Sequence, residues 1–225
     1  MPGKRLVTPC VQVAVDAVEK RDVARICEAL AHREGVIFEA GTPTIKQFGI
    51  GIVGQMRQMA GDPFIIADLK TLDVGDLEAR IAKNGGADAA ICSGLAGKPT
   101  VRQFVSECGK LGVLSFVDMM GVKDPVGLLE SLDEIPCGAS FHRGIDAELA
   151  GEPHEFDRLS AAKKAFPRLV CASAGGIDAE KAGRAVAAGA DVVVVGRFIT
   201  SAADPVAALE KIEAAMGGKG AAKTR

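Results

Sequence analysis

Phe64-Ile-Ile-Ala-Asp-Leu-Lys-Thr-Leu-Asp73 sets a short apolar run directly against three charges. Phe64–Ala67 reads as a buried β-strand, and Asp68 and Lys70 follow at its end. Two residues apart on an extended backbone, their side chains point to the same side. Asp73 lies beyond the strand end and is free to face elsewhere. An uncompensated buried charge is costly. A charged constellation at the mouth of a core strand therefore marks a site that binds something.

Outward from this stretch, similar apolar runs recur along the chain. The strands expected are Val11–Val15, Gly35–Phe38, Phe64–Ala67, Ala87–Cys92, Val113–Val117, Cys137–Phe141, Leu169–Ala172 and Val192–Val195. Several show little polar alternation, as expected of parallel strands covered on both faces. Helical patterns fill the gaps. Asp124-Pro125 and Asp204-Pro205 each read as an N-cap followed by proline in the first turn. Val206, Leu209, Ile212 and Met216 form an apolar stripe ahead of Gly217, and Gly189 suits the end of a helix opening near Asp178. Eight strands alternating with helices over 225 residues predict an α/β protein, a (β/α)8 TIM barrel, with a doubly wound open sheet as the competing architecture. An internal echo supports the barrel: Gly86-Ala87-Asp88 before strand four resembles Gly189-Ala190-Asp191 before strand eight. The reading is one barrel domain over residues 1–225, with a Gly/Ala/Lys-rich tail expected to fray from about 217.

Composition narrows the function. A net charge of −2 gives no support for nucleic-acid binding. The apolar runs are too short to span a membrane. No apolar segment follows Met1–Arg5, so no signal peptide is expected, which points to a cytoplasmic protein. Six cysteines occur without any CxxC pair. They read as buried thiols rather than disulfides or metal ligands, although a cysteine nucleophile is an open alternative.

Function in such barrels gathers at the C-terminal strand ends. In order, those ends carry Asp16, Glu39, Asp68 with Lys70, Asp118, His142, Ser173-Ala-Gly-Gly176 and Gly196-Arg197. The opposite ends are expected to lack such a concentration. Glu39 and Asp68, on neighbouring strands, offer hard oxygen ligands suited to Mg²⁺. The competing reading is a salt-bridge network in which Lys70 neutralises the acids. His142 is placed to move a proton, or else is a hydrogen-bonded core histidine. Gly175, Gly176 and Gly196 suit a phosphate held by backbone N–H groups, with Arg197 adding a charged contact. Alternatively, these glycines only make tight turns.

Asp68-x-Lys70-x-x-Asp73 resembles the signature of the orotidine 5′-monophosphate decarboxylase superfamily. Together with Glu39-Ala-Gly-Thr-Pro43, His142-x-Gly144-x-Asp146-Ala, Val11-Gln-Val-Ala-Val-Asp16 and Ser173-Ala-Gly-Gly-Ile177, it resembles the 3-hexulose-6-phosphate synthase family over roughly residues 9–215. The resemblance implies an aldehyde-lyase: a Mg²⁺-dependent aldol condensation of formaldehyde with D-ribulose 5-phosphate through an enediolate, in the ribulose monophosphate pathway. Mn²⁺ is the alternative ion. It implies Glu39 and Asp68 as metal ligands and His142 as acid/base. Lys70 would face the intermediate, and Asp16 would bind sugar hydroxyls. Gly175, Gly176, Gly196 and Arg197 would hold the phosphate. It also implies a homodimer with shared sites, in which Asp73 reaches into the partner's site. Cys92-Ser-Gly-Leu-Ala96, Arg143 and Arg197 depart from the family pattern. His142-Arg143 and Gly196-Arg197 look like the sister enzyme 3-keto-L-gulonate-6-phosphate decarboxylase, which has an arginine where this chain has Ile145. That decarboxylase, and a sugar-phosphate-binding barrel without catalysis, are the alternatives.

Overall fold

The computed structural model describes residues 4–154 and 156–217. The expectation of a frayed tail falls on 218–225, outside the described residues. In chain order the first half comprises β1 (Cys10–Val15), α1 (Lys20–Ala29), β2 (Val36–Ala40), α2 (Thr42–Phe48), α3 (Ile52–Met59), β3 (Ile65–Thr71), α4 (Gly75–Asn84), β4 (Ala89–Ser93) and α5 (Lys98–Leu111). The second half comprises β5 (Leu114–Asp118), α6 (Pro125–Glu130), β6 (Gly138–His142), α7 (Ile145–Leu149), α8 (Phe156–Ala165), β7 (Val170–Ala174), α9 (Ala179–Ala187), β8 (Val192–Val195), α10 (Arg197–Thr200) and α11 (Pro205–Ala215). The strands pair in parallel in sequence order, and β1 closes on β8. This is the (β/α)8 barrel, and the open sheet is ruled out by the β1–β8 ladder.

The period of two along each strand sorts the core into two layers. One parity packs outward against the helices: Val11, Val13, Val15, Phe38, Ile65, Ala67, Val117 and Val195. The other fills the barrel interior: Cys10, Ala14, Ile37, Ile66, Ile91, Phe116, Ala172 and Val194. Gly138 belongs to this inner parity. A Cβ there would lie 2.2 Å from the Phe116 ring, so the glycine leaves room for that ring inside the barrel. Carried upward, the inner parity reaches Gln12, Glu39, Asp68, Asp118, Ser140 and His142. The alternation that builds the core thus aims the polar groups at the barrel mouth.

Strands β2 to β7 all run further at their C-terminal ends than expected. β2 continues through Glu39 to Ala40 and β3 through Asp68 and Lys70 to Thr71. The charges therefore sit on the strands rather than after them. Ladder pairing uses backbone groups and is indifferent to side-chain charge. Glu39 accordingly stays in register with Ala14 and Ile66, and Asp68 with Ile91. The helix signals behave as read. Asp124, Asp178 and Asp204 accept from the backbone N–H of Gly127, Lys181 and Ala207, each three residues on. Leu209 and Ile212 of α11 are buried, and Gly189 and Gly217 take positive φ just past their helices.

The N-terminal strand ends are charged, contrary to expectation. Asp88 Oδ2 accepts from the Ile65 N–H at 2.8 Å and from Arg57 at 2.7 Å. Asp191 Oδ2 accepts from the Cys171 N–H at 2.9 Å and is paired with Lys163 at 2.5 Å. The two Gly-Ala-Asp segments therefore do the same job four strands apart. Each carboxylate caps the preceding strand and carries its own cation. Among the described residues, no helix is long and apolar enough to cross a membrane, and all six cysteines are free thiols.

Candidate active site

Lys70 is the hub of the barrel mouth. Its ammonium lies 2.7 Å from Asp68 Oδ2 and 2.8 Å from Asp118 Oδ2. The same Asp118 oxygen is 3.1 Å from His142 Nδ1, and Asp118 Oδ1 accepts from the Met120 N–H at 2.9 Å. Strands three, five and six are thereby tied into one chain of charges, Asp68–Lys70–Asp118–His142. Asp68 and Lys70 do meet on one side, though not on a regular extended backbone. The β3–β4 register slips between Asp68 and Thr71, and Lys70 takes φ +44°. A non-glycine residue held in the left-handed region is strained, and such strain concentrates at functional sites.

Glu39 and Asp16 complete the acidic side. Glu39 is 6% exposed, Asp68 4% and Asp118 2%. The Gln12 side-chain amide donates to Glu39 Oε2, and Thr42 Oγ1 donates to the Asp68 carbonyl at 2.8 Å. Asp16 opens to solvent at the rim, although protein crowds it on its inner side. A Cβ on Gly41 would come within 2.0 Å of its carboxylate. The Gly of Glu39-Ala-Gly41 is thus what lets Asp16 lie beside β2.

The electrostatics divide the carboxylates. Burial, followed by the charges of Asp68 and Asp16, pushes Glu39 up to about 8. Asp16 is raised by burial and then by Asp68. Asp68 is also raised by burial, with Asp118 adding and Lys70 opposing. Asp118 goes the other way. Burial would raise it, but the His142 hydrogen bond and charge, together with Lys70, outweigh that and hold it at about 2. Burial tends to lower Lys70, yet Asp68 and Asp118 keep its ammonium more firmly protonated than usual. Because Asp118 stays ionised, His142 Nδ1 is its donor, which leaves Nε2 for a reacting proton.

The glycine loops form a second cluster beside this chain. Gly175 and Gly176 have φ of +99° and +61°, a conformation open to glycine. A Cβ on Gly175 would lie 2.0 Å from the Arg143 carbonyl oxygen. Gly196 has a negative φ of −97° but a ψ of −107°, outside the α and β wells, and a Cβ there would meet nothing nearer than 3.8 Å, so its backbone rather than a lack of room is what favours glycine. Arg197 Nη2 lies 3.0 Å from Glu148 Oε2. Arg143 turns away from His142, with Nη1 donating to the Glu152 carbonyl at 2.8 Å. Asp73 does not join the ring. It is exposed, and its Oδ1 accepts from the N–H of Val74, itself at φ +49°.

Of the residues singled out in the sequence, Asp16, Glu39, Asp68, Lys70 and His142 come together, Gly175, Gly176, Gly196 and Arg197 gather beside them, and Asp73 stands apart. Asp118 was visible as a strand end without a role. Its signal is its parity, two residues after the inward Phe116. Gln12, in phase with Ala14, is legible in the same way. Glu148 had no signal, because only the folded chain brings it to Gly176 and Arg197.

Among the described residues, no group of three or more His, Cys, Asp and Glu side chains is arranged to hold a metal by protein ligands alone. The donor set Glu39 and Asp68 fits the lesser demand of Mg²⁺, which takes one or two carboxylates and fills its shell with water and substrate.

A barrel with this acidic ring defines a class. Residues 9–212 match the orotidine 5′-phosphate decarboxylase / HUMPS family, and the chain belongs to that family. It is 41% identical over 183 residues to the bifunctional enzyme Fae/Hps of Methanocella arvoryzae, covering 80% of this chain and 46% of that protein. Against the Fae/Hps of Methanoregula boonei it is 43% identical over 182 residues, again 80% and 46%. The chain thus spans about half the length of these curated relatives. A solved 3-hexulose-6-phosphate synthase is 30% identical, with TM-score 0.83 over 93% of this chain and 100% of that one. The 3-hexulose-6-phosphate synthase from Salmonella typhimurium is 26% identical, with TM-score 0.85 over 92% and 98%.

Proposed function

We propose that this chain is a 3-hexulose-6-phosphate synthase, condensing formaldehyde with D-ribulose 5-phosphate in the presence of Mg²⁺. The observation that carries the reading is Asp118, one carboxylate bound to both Lys70 and His142, set beside the acidic pair Glu39 and Asp68. The match to relatives bearing the synthase name supports it. Glu39 and Asp68 would hold the ion, which when bound supplies Lewis-acid stabilisation of negative charge on the sugar oxygens. His142 Nε2 removes the proton from the sugar carbon that becomes nucleophilic, and Asp118 stabilises the imidazolium that results. Lys70, kept cationic between two carboxylates, faces the enediolate charge. The enediolate carbon then bonds to formaldehyde, and the new alkoxide takes up the proton held by the His142 imidazolium, which restores the neutral base. Asp16 at the rim binds sugar hydroxyls. The Gly175-Gly176 turn, Gly196 and Arg197 receive the phosphate.

Ile145 favours the synthase over 3-keto-L-gulonate-6-phosphate decarboxylation, because it places an exposed aliphatic side chain where that enzyme carries a cation. The β3–α4 turn supports a homodimer. Leu72, Val74 and Leu77 are exposed around Asp73, with Leu95 on the next loop, and apolar side chains gathered in this way favour an interface. Asp73 would enter the partner's site from there. Pure protein with Mg²⁺, ribulose 5-phosphate and formaldehyde should consume formaldehyde and release no CO₂ from 3-keto-L-gulonate 6-phosphate. The opposite pattern would reassign the reaction.

A further inference from the structure

The anion cradle already holds an anion of the protein's own. Both carboxylate oxygens of Glu148 lie against Gly176, where a Cβ would come within 2.4 Å of one and 2.6 Å of the other. Arg197 donates to the same carboxylate at 3.0 Å. Glu148 is therefore bonded to the arginine, and packed against the left-handed glycine, that the proposed function assigns to the phosphate. The surroundings are cationic. Arg143, Lys181 and Arg184 all bear on the neighbouring His154, which burial first and then these charges depress to about 4. The segment that carries Glu148 is weakly held. α7 is five residues long and buries none of them, with Ile145 and Leu149 50% and 76% exposed. Elements with so little buried surface open at small cost.

We propose that Glu148 is a displaceable internal ligand of the phosphate cradle, and thereby a specificity-determining residue for phosphorylated sugars. This rests on the phosphate assignment made above. The ester dianion competes for Gly176 and Arg197, expels the Glu148 carboxylate and frees α7, three residues past His142. A sugar without a phosphate brings no anion to displace it and meets an occupied cradle. Phosphate binds Arg197 more strongly than a singly charged carboxylate does, so the exchange runs forward for the phosphorylated substrate alone.

Isothermal titration of the full chain with inorganic phosphate, and separately with ribulose 5-phosphate, tests this. The proteins compared are wild type, Glu148→Gln, Glu148→Ala and Arg197→Ala. Removing the competing charge should tighten both ligands by about tenfold in each Glu148 variant, while Arg197→Ala weakens both. Unchanged or weaker binding in both Glu148 variants, with Arg197→Ala still weak, would overturn the role of Glu148 and leave the phosphate site standing. Binding that ignores Arg197 as well as Glu148 would overturn the phosphate site itself.

Discussion

The two ends of the barrel use the same side chains to opposite effect. At the N-terminal end, Asp88 and Asp191 each cap a backbone N–H and each hold a cation, Arg57 and Lys163. At the C-terminal end, Asp16, Glu39, Asp68 and Asp118 share one lysine and one histidine. Satisfied carboxylates stabilise a fold. Of the crowded ones, Asp16, Glu39 and Asp68 are raised by burial and by their acidic neighbours, while Asp118 is held low by His142 and Lys70, and this leaves capacity for a bound cation. The end proposed to be active is therefore set apart by its surplus of acidic groups rather than by the presence of charge.

The contrast breaks most sharply at Asp68. Asp68→Ala should lower turnover by about a thousandfold or more, since it removes the proposed cation ligand and a partner of Lys70, while the barrel stays folded. Asp88→Asn, at the other end, should leave turnover per folded molecule intact and cost about 1–3 kcal/mol of stability, read by denaturant unfolding. Loss of stability at Asp68 with turnover retained would reverse the roles of the two ends.

Asp118→Asn comes next. With the carboxylate gone, His142 loses the group that fixes its tautomer, and kcat should fall by about a hundredfold. Combined with His142→Ala, it should add little further, because the two act as a unit.

Glu39→Gln should abolish turnover yet stabilise the cation-free protein at alkaline pH. Glu39 sits near 8 in the fold, well above an unfolded glutamate. The folded state binds that proton more tightly, so the associated stability is present at low pH and is lost as pH rises through about 8. The same proton competes with a cation, so Mg²⁺ affinity should rise with pH up to that point. Thermal melts at pH 6 and pH 9, with EDTA and with Mg²⁺, check both signs. The smallest effect is expected at Arg197→Ala, which should raise KM for ribulose 5-phosphate more than it lowers kcat.

The fold was legible because local signals and topology agreed. Asp124, Asp178 and Asp204 cap helices where their patterns begin, and apolar runs supplied the strands. The ring was legible in part, because chain order in a barrel puts the ends of β2, β3 and β6 around one mouth. Missed parts followed physical rules that residue types alone do not reveal. Charges on Glu39, Asp68 and Lys70 suggested strand ends, but the ladder continues beneath them. Apolar patterning hid the paired charges at the base, and Glu148 reaches the glycine turn only through the folding of α7.

The most direct test follows formaldehyde consumption by wild-type protein and Asp68→Asn with ribulose 5-phosphate, in Mg²⁺ and after EDTA treatment. Consumption in wild type with Mg²⁺, lost with EDTA and lost in Asp68→Asn, is the result expected of an acidic surplus that holds a catalytic cation. Equal consumption with and without the ion, or by both proteins, would contradict it.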